Sequence, residues 1–362
     1  MMEGKEMVEK RVYIASTEEK AGKSVIAIGL ALIARDLGKK VGYFKSIGVE
    51  TSEFKDRIVD EDVKTMMKLL DLKGDPKVYS PIILGGETFL DFFDANKSSK
   101  YIEAILSAYE EASREKEVML IEGATTLSSG AFLNCSVPSI SSRLNADIIL
   151  VSRFKKDHTV DDVLQAYDYA SKYGASVLGV IINRVPDNMK ERVENVIKPL
   201  LEKNGIRVLG VMPEDKLLSS IPVREIYEAI GGNLLAGEEG MDKMVETILV
   251  GAMSPESAMR YFQKAKNELV ITGGDRTDIV FAALEAGARA IILTGNLYPS
   301  VKIFPRADEL AVPLILVPYD TYTTLQILQG IVGKIRPEDQ RRIDRAKEIV
   351  AENVDWKHIL SE

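Results

Sequence analysis

Ala15-Ser16-Thr17-Glu18-Glu19-Lys20-Ala21-Gly22-Lys23-Ser24 decides the fold of this 362-residue chain. The apolar run 11–15 precedes it, and the nearly all-apolar helical stretch 24–37 follows. Its ending, Gly-Lys-Ser, matches the end of the G-x-x-x-x-G-K-[ST] pattern, in which a strand, a tight loop and a helix cradle phosphate. Gly22 lets the backbone approach an anion closely, Lys23 reaches phosphate oxygens, and the Ser24 hydroxyl suits Mg²⁺. The backbone of Thr17, Ala21, Gly22, Lys23, Ser24 and Val25 is the candidate cradle, since the first N–H groups of a helix have no partner within it. One position departs from the pattern. Thr17 stands where the first glycine belongs, and threonine tolerates positive φ poorly, so the loop must begin differently.

Around this loop, short apolar runs alternate with helical patterns. Strands are expected at 11–15, 41–44, 118–121, 147–151, 177–182 and 208–211, and helices at 24–37, 62–70, 101–115, 160–173 and 188–201. Several runs are continuously apolar, as strands covered on both faces should be. The alternation predicts an α/β fold with a mostly parallel sheet and helices on both faces. The rhythm loosens over 213–240, and the glycine pairs there place a domain boundary near residue 235. This gives a first domain at 1–235 and a smaller α/β domain at 236–362. In the second, helices are expected at 241–251, 255–264 and 278–286, and strands at 268–272, 290–294 and 313–317. A last charged helix at 337–353 is expected on the surface or against a partner.

Composition narrows the function. With 47 Lys+Arg against 55 Asp+Glu the net charge is −8, and no basic patch is visible, which argues against a nucleic-acid partner. No apolar run reaches the roughly 18 residues of a membrane span, and residues 1–11 lack the apolar core of a signal peptide. A cytoplasmic setting is expected. The single cysteine, Cys135, excludes an internal disulfide framework and reads as a small packed residue. The two histidines, His158 and His358, have no zinc-spaced company.

Phosphate chemistry with Mg²⁺ needs carboxylates near the loop, and in open parallel sheets these lie at the carboxyl ends of strands. Glu122 ends one strand and precedes Gly123-Ala124. Asp62 lies in the acidic run Asp60-Glu61-Asp62, where the alternative is a helix N-cap. In order, Gly22-Lys23-Ser24, Gly42-Tyr43-Phe44-Lys45, Asp60-Glu61-Asp62, Ile121-Glu122-Gly123-Ala124 and Gly179-Val180-Ile181-Ile182-Asn183-Arg184 resemble the dethiobiotin synthetase family of P-loop ATPases. The stretches Gly210-Val211-Met212-Pro213-Glu214-Asp215 and Pro222-Val223-Arg224-Glu225-Ile226 bring the chain closer to the related N-terminal domain of long bacterial phosphotransacetylases.

The resemblance implies ATP or another purine nucleotide as ligand. It assigns phosphates and Mg²⁺ to Lys23 and Ser24, further metal contacts to Asp62 and Glu122, and charge neutralisation at the reacting groups to Lys45. Asn183 would read the purine edge, its alternative being a turn residue. The reaction implied is activation of a carboxylate or carbamate by ATP, with Lys23 and Lys45 as catalytic residues and a small molecule as second substrate. The alternative is a non-catalytic, nucleotide-responsive regulator. Where the family has a glycine-rich stretch after its glutamate, this chain has Thr125-Thr126, so the family's own substrate is not expected.

In the second domain, Gly273-Gly274-Asp275-Arg276-Thr277 follows a strand and precedes a helix. It resembles the DRTGG domain, with Asp278-Ile279 in place of the last two glycines. Gly274, Asp275, Arg276 and Thr277 are the candidate ligand site there, the alternative being a structural turn with Arg276 paired to a carboxylate. The resemblance implies a homodimer. Long phosphotransacetylases carry a further acetyltransferase domain, and residues 1–362 leave no room for it, so acetyl transfer is not expected.

Overall fold

The computed structural model describes residues 8–49, 51–54, 57–84, 90, 93–94, 97–331 and 334–361. Part of the charged N-terminal stretch, residues 1–7, therefore lies outside the described residues. The chain forms two compact units, one of residues 1–214 and 335–362, the other of residues 215–334.

Six parallel strands build the sheet of the first unit: β1 (Lys10–Ser16), β2 (Val41–Lys45), β3 (Val118–Glu122), β4 (Asp147–Arg153), β5 (Val177–Val185) and β6 (Val208–Pro213). Their spatial order is β6-β5-β4-β1-β3-β2. Val12 to Ala15, Met119 to Ile121 and Ile148 to Val151 are fully buried, which is why these strands read as unbroken apolar runs. The loop leaves the carboxyl end of the central strand β1 and enters α1 (Lys23–Asp36), whose residues Val25 to Ala34 are all buried. A second helix, α2 (Glu61–Leu69), follows the strand-end region of β2.

A helix apolar all round must be covered all round. The second cover over α1 is the helix Gln340–Asn353, packed against it with Ile343, Ala346, Ile349 and Val350 buried. Gly29 permits the close approach, because a Cβ there would lie 2.5 Å from Val350 Cγ2 and 2.9 Å from the Ala346 carbonyl. Here the sequence reading is corrected in two ways. The charged C-terminal helix belongs to the first unit instead of a second domain at 236–362, and the units part at 214/215 and 334/335 instead of near 235. Local patterning reports the polarity of that helix and not the apolar α1 surface it covers.

The second unit has its own sheet of five strands: β7 (Asn233–Ala236), β8 (Thr247–Val250), β9 (Glu268–Gly273), β10 (Ala290–Thr294) and β11 (Leu314–Leu316). In the order β7-β11-β10-β9-β8 all neighbours are parallel except the edge pair β7/β11. Apolar clusters cover both faces, one around Phe262, Ile279 and Leu293, the other around Ile226, Ile271 and Ile315. The expected helix at 241–251 is instead strand, since Thr247 to Val250 pair with Glu268 to Ile271. The tertiary edge decides what an ambiguous apolar run becomes. Among the described residues no helix is long and apolar enough to cross a membrane.

Phe262 is 2% exposed in this core. Phe262→Ala is expected to destabilise the second unit by about 3–5 kcal/mol. Calorimetric unfolding checks this, and an unchanged transition would contradict the packing described.

Candidate functional site

The loop between β1 and α1 takes positive φ at Lys20 (54°) and Gly22 (104°), not at Thr17. Thr17 instead ties the loop to β4, its N–H donating to the Val151 carbonyl at 3.2 Å and its hydroxyl to Ser152 Oγ at 3.2 Å. This is how the sequence dispenses with the first glycine. Gly22 occupies the N-cap position of α1 with no side-chain cap, and the first turn holds no acidic residue. That leaves the helix start as a site for an anion, with Ala21, Gly22, Lys23, Ser24 and Val25 around it. Lys23 Nζ donates to Ser16 Oγ (2.9 Å) and to the Thr125 carbonyl (3.1 Å), which folds it along the loop after β3.

The acidic residues converge on Ser24. Register places Lys45 beside Glu122 across β2 and β3, and Glu122 also aligns with Ile14 of β1. The Ser24 hydroxyl lies 2.9 Å from Asp62 Oδ1 and 3.3 Å from Glu122 Oε1. Asp62 is not the cap of α2. Asp60 is, accepting from the N–H groups of Asp62 (3.0 Å) and Val63 (3.4 Å), which frees the Asp62 side chain for the site. Lys45, 3% exposed, sits between them, 3.0 Å from Asp60 Oδ1 and ion-paired with Asp62 Oδ2. Tyr43, two residues earlier on the same face of β2, donates its hydroxyl to Glu122 Oε2 at 2.9 Å.

The buried Asp60 and Glu122 and the half-buried Asp62 thus crowd around one buried ammonium. Burial works against the Lys45 charge, but Asp62, Asp60 and Glu122 outweigh it and hold its pKa well above the ordinary lysine value. Burial also opposes ionisation of Asp62, yet Lys45 and Ser24 keep that carboxyl below its usual range. Glu122 is the group left over. Burial first, and the Asp62 charge second, push it up to about 8.

Asn183 occupies the other side of the loop, at the carboxyl end of β5. Its Nδ2 donates to the Ala21 carbonyl at 2.8 Å, and its Oδ1 accepts from the Arg184 N–H at 2.8 Å. A Cβ on Gly22 would lie 2.1 Å from Asn183 Nδ2. In this arrangement the Asn183 amide braces the loop.

In the second unit, Gly274 lies against the Leu297 carbonyl, 1.5 Å from where a Cβ would stand, so the turn is shaped by packing. Arg276 pairs with Asp278 (3.1 Å) and donates to the Met253 carbonyl (3.0 Å), while the Thr277 hydroxyl accepts from the Ser300 N–H at 3.1 Å. Asp275 is not a cap: the N-cap position is Arg276, without a side-chain bond. Tyr43 and Asp60 are the site residues that the sequence reading missed. The period of two along β2 pointed to Tyr43 once Lys45 was chosen, and Asp60 lay within the acidic run already singled out.

A carboxyl whose folded pKa is raised holds its proton where the unfolded chain has lost it. Its effect on stability is therefore unfavourable as pH rises from about 4.5 towards about 8. Melting curves at pH 5 and pH 8 should show Glu122→Gln losing less stability than the wild type over that interval. Equal losses would contradict the raised value. Separately, Gly22→Ala is expected to abolish ligand binding at the loop while leaving the fold intact, because the added methyl meets Asn183 and φ is +104°.

Two family models match most of the chain. The AAA domain family matches residues 10–221, and the DRTGG domain matches residues 225–331. A phosphate acetyltransferase of Synechocystis is 25% identical over 370 residues, covering 97% of this chain and 51% of its own length. An ATP-dependent dethiobiotin synthetase of Nitrosopumilus maritimus is 23% identical over 221 residues, covering 60% of this chain and 95% of its own. Among solved structures, the MinD cell division protein of Aquifex aeolicus superposes with a TM-score of 0.36 at 16% identity, covering 58% of this chain and 84% of its own. The chain spans about half the length of the phosphate acetyltransferase relatives it matches. With well over half its residues in the matched region, the chain belongs to the AAA domain family, as a dethiobiotin synthetase-like P-loop domain accompanied by a DRTGG domain.

Proposed function

We propose that the first unit binds ATP with Mg²⁺ and uses it to activate a carboxylate or carbamate of a small-molecule substrate. The observation that carries this reading is the convergence of Ser24, Asp62 and Glu122 oxygens at the start of α1. One hydroxyl and two carboxylates suit Mg²⁺, a hard cation that takes few protein ligands and completes its shell with water and phosphate. Ser24, Asp62 and Glu122 would hold the ion, which when bound neutralises phosphate charge. Lys23 and the N–H groups that open α1 hold phosphate oxygens. Catalysis here is positioning and charge neutralisation, with no covalent intermediate on the protein.

A second reading rests on Lys45. Its ammonium is enclosed by Asp60 and Asp62 instead of facing an acceptor, as suits a domain that binds nucleotide without transferring phosphate. On this reading the chain is a nucleotide-responsive regulator. Self-association through the second unit belongs to either reading, supported by the exposed Leu297, Tyr298, Val301, Tyr319 and Tyr322. A cytoplasmic setting is part of the same proposal.

Lys23→Ala is expected to weaken ATP binding at least ten-fold by calorimetric titration, roughly the loss of one charge-assisted contact to phosphate. Undiminished affinity in the variant would overturn the site assignment. ATP turnover in wild type that is lost in Lys45→Met supports the enzyme reading. Binding without turnover in either protein leaves the regulator.

A further inference from the structure

We infer that the C-terminal segment 335–361 is a working part of the phosphate site, and that Thr65 is a positioning residue through which it fixes Asp62. This rests on the reading of Ser24, Asp62 and Glu122 as the Mg²⁺–nucleotide site. The segment lies outside both family matches, which end at residues 221 and 331.

Its course ties together the elements that present the ligands. It begins at Ile335, 6% exposed, whose carbonyl accepts from Thr65 Oγ1 at 3.2 Å. One turn further along α2, Lys68 pairs with Glu338 at 2.7 Å. Asp339 then caps the helix Gln340–Asn353 by accepting from the Arg342 N–H at 3.0 Å, and it pairs with the fully buried Arg342. That helix lies on α1 over Gly29, with Lys347 paired to Asp36 at the end of α1. The segment finishes on β6, where the Asp355 N–H donates to the Leu209 carbonyl at 2.7 Å and Gly210 faces Val354.

Two helices are held, and each carries a site residue at its second position: Ser24 in α1 and Asp62 in α2. The Ser24–Asp62 contact requires those two helix starts to keep their relative placement within a few tenths of an ångström. Asp60 fixes the first N–H groups of α2, and the buried Val63 and Met66 seat the helix on the core. Thr65 is three residues beyond Asp62, nearly one helical turn, and therefore on the same side of α2. Its bond to the Ile335 carbonyl adds a directional polar tether to that apolar seat. The hydroxyl is buried with its residue 4% exposed, so the tether is shielded from competing water.

The test uses the full chain and calorimetric titration of ATP, with and without Mg²⁺. Thr65→Val keeps shape and burial but deletes the donor, Thr65→Ser keeps the donor, and Pro337→Gly slackens the segment without touching a site residue. In Thr65→Val the gain in ATP affinity conferred by Mg²⁺ should fall about three- to ten-fold, the range of one buried hydrogen bond. Affinity without Mg²⁺ should move little, and the melting temperature should fall by only a few degrees, as the loss of one buried hydrogen bond requires. Thr65→Ser should restore most of the gain, and Pro337→Gly should lose it as Thr65→Val does. If Thr65→Val fails to fold, Pro337→Gly decides. Wild-type behaviour in the folded variants overturns the inference alone. A wild-type chain with no Mg²⁺-dependent ATP affinity overturns it together with the proposed function.

Discussion

The rest of the candidate site depends on one buried ammonium, that of Lys45. It lies between Asp60 and Asp62, next to Glu122 across the sheet, and almost no water reaches it. Taking charges out of water costs several kcal/mol per ion unless partners compensate, so a cluster of this kind persists only where the fold fixes every member. The parallel register of β1, β3 and β2 does part of this, putting Ile14, Glu122 and Lys45 side by side. The cap by Asp60 does another part, because it turns the Asp62 carboxylate towards Ser24. Burial, and the Asp62 charge beside it, push the Glu122 carboxyl up to about 8. On the function proposed above, a divalent cation held by Ser24, Asp62 and Glu122 would add positive charge to this cluster.

The loop shows the same economy of parts. Its backbone takes the left-handed conformation at Gly22, and Asn183 fills the space that any side chain there would need. The asparagine thus links the carboxyl end of β5 to the start of α1, while Thr17 links the loop to β4. A loop held from both sides presents its N–H groups with little freedom left to lose on binding, which is what preorganised anion recognition requires.

Much of this was legible in the sequence, for identifiable reasons. Strands buried on both faces leave unbroken apolar runs, so all six strands of the first sheet were readable. Gly22, Lys23 and Ser24 were readable because their spacing is dictated by phosphate geometry. The division of roles between Asp60 and Asp62 was not, since either residue of an acidic run can cap a helix. Asn183 was expected at the nucleotide's base, and its amide is found on the Ala21 carbonyl, a contact 162 positions away in the chain. The run 241–251 and the helix Gln340–Asn353 were misread because each takes its state from a distant partner, β9 in one case and α1 in the other. In the second unit, the Leu297 carbonyl against Gly274 was not readable, because it comes from the loop after the next strand.

The central claim is that Ser24, Asp62 and Glu122 form a divalent-cation site that works together with bound nucleotide. The most direct measurement is a Mg²⁺ titration of the wild-type chain by calorimetry, alone and with saturating non-hydrolysable ATP analogue. The account predicts weak binding of Mg²⁺ alone and a gain of at least ten-fold when the nucleotide is present, as phosphate oxygens complete the ion's shell. A Mg²⁺ affinity no greater than that of the free nucleotide itself would contradict it.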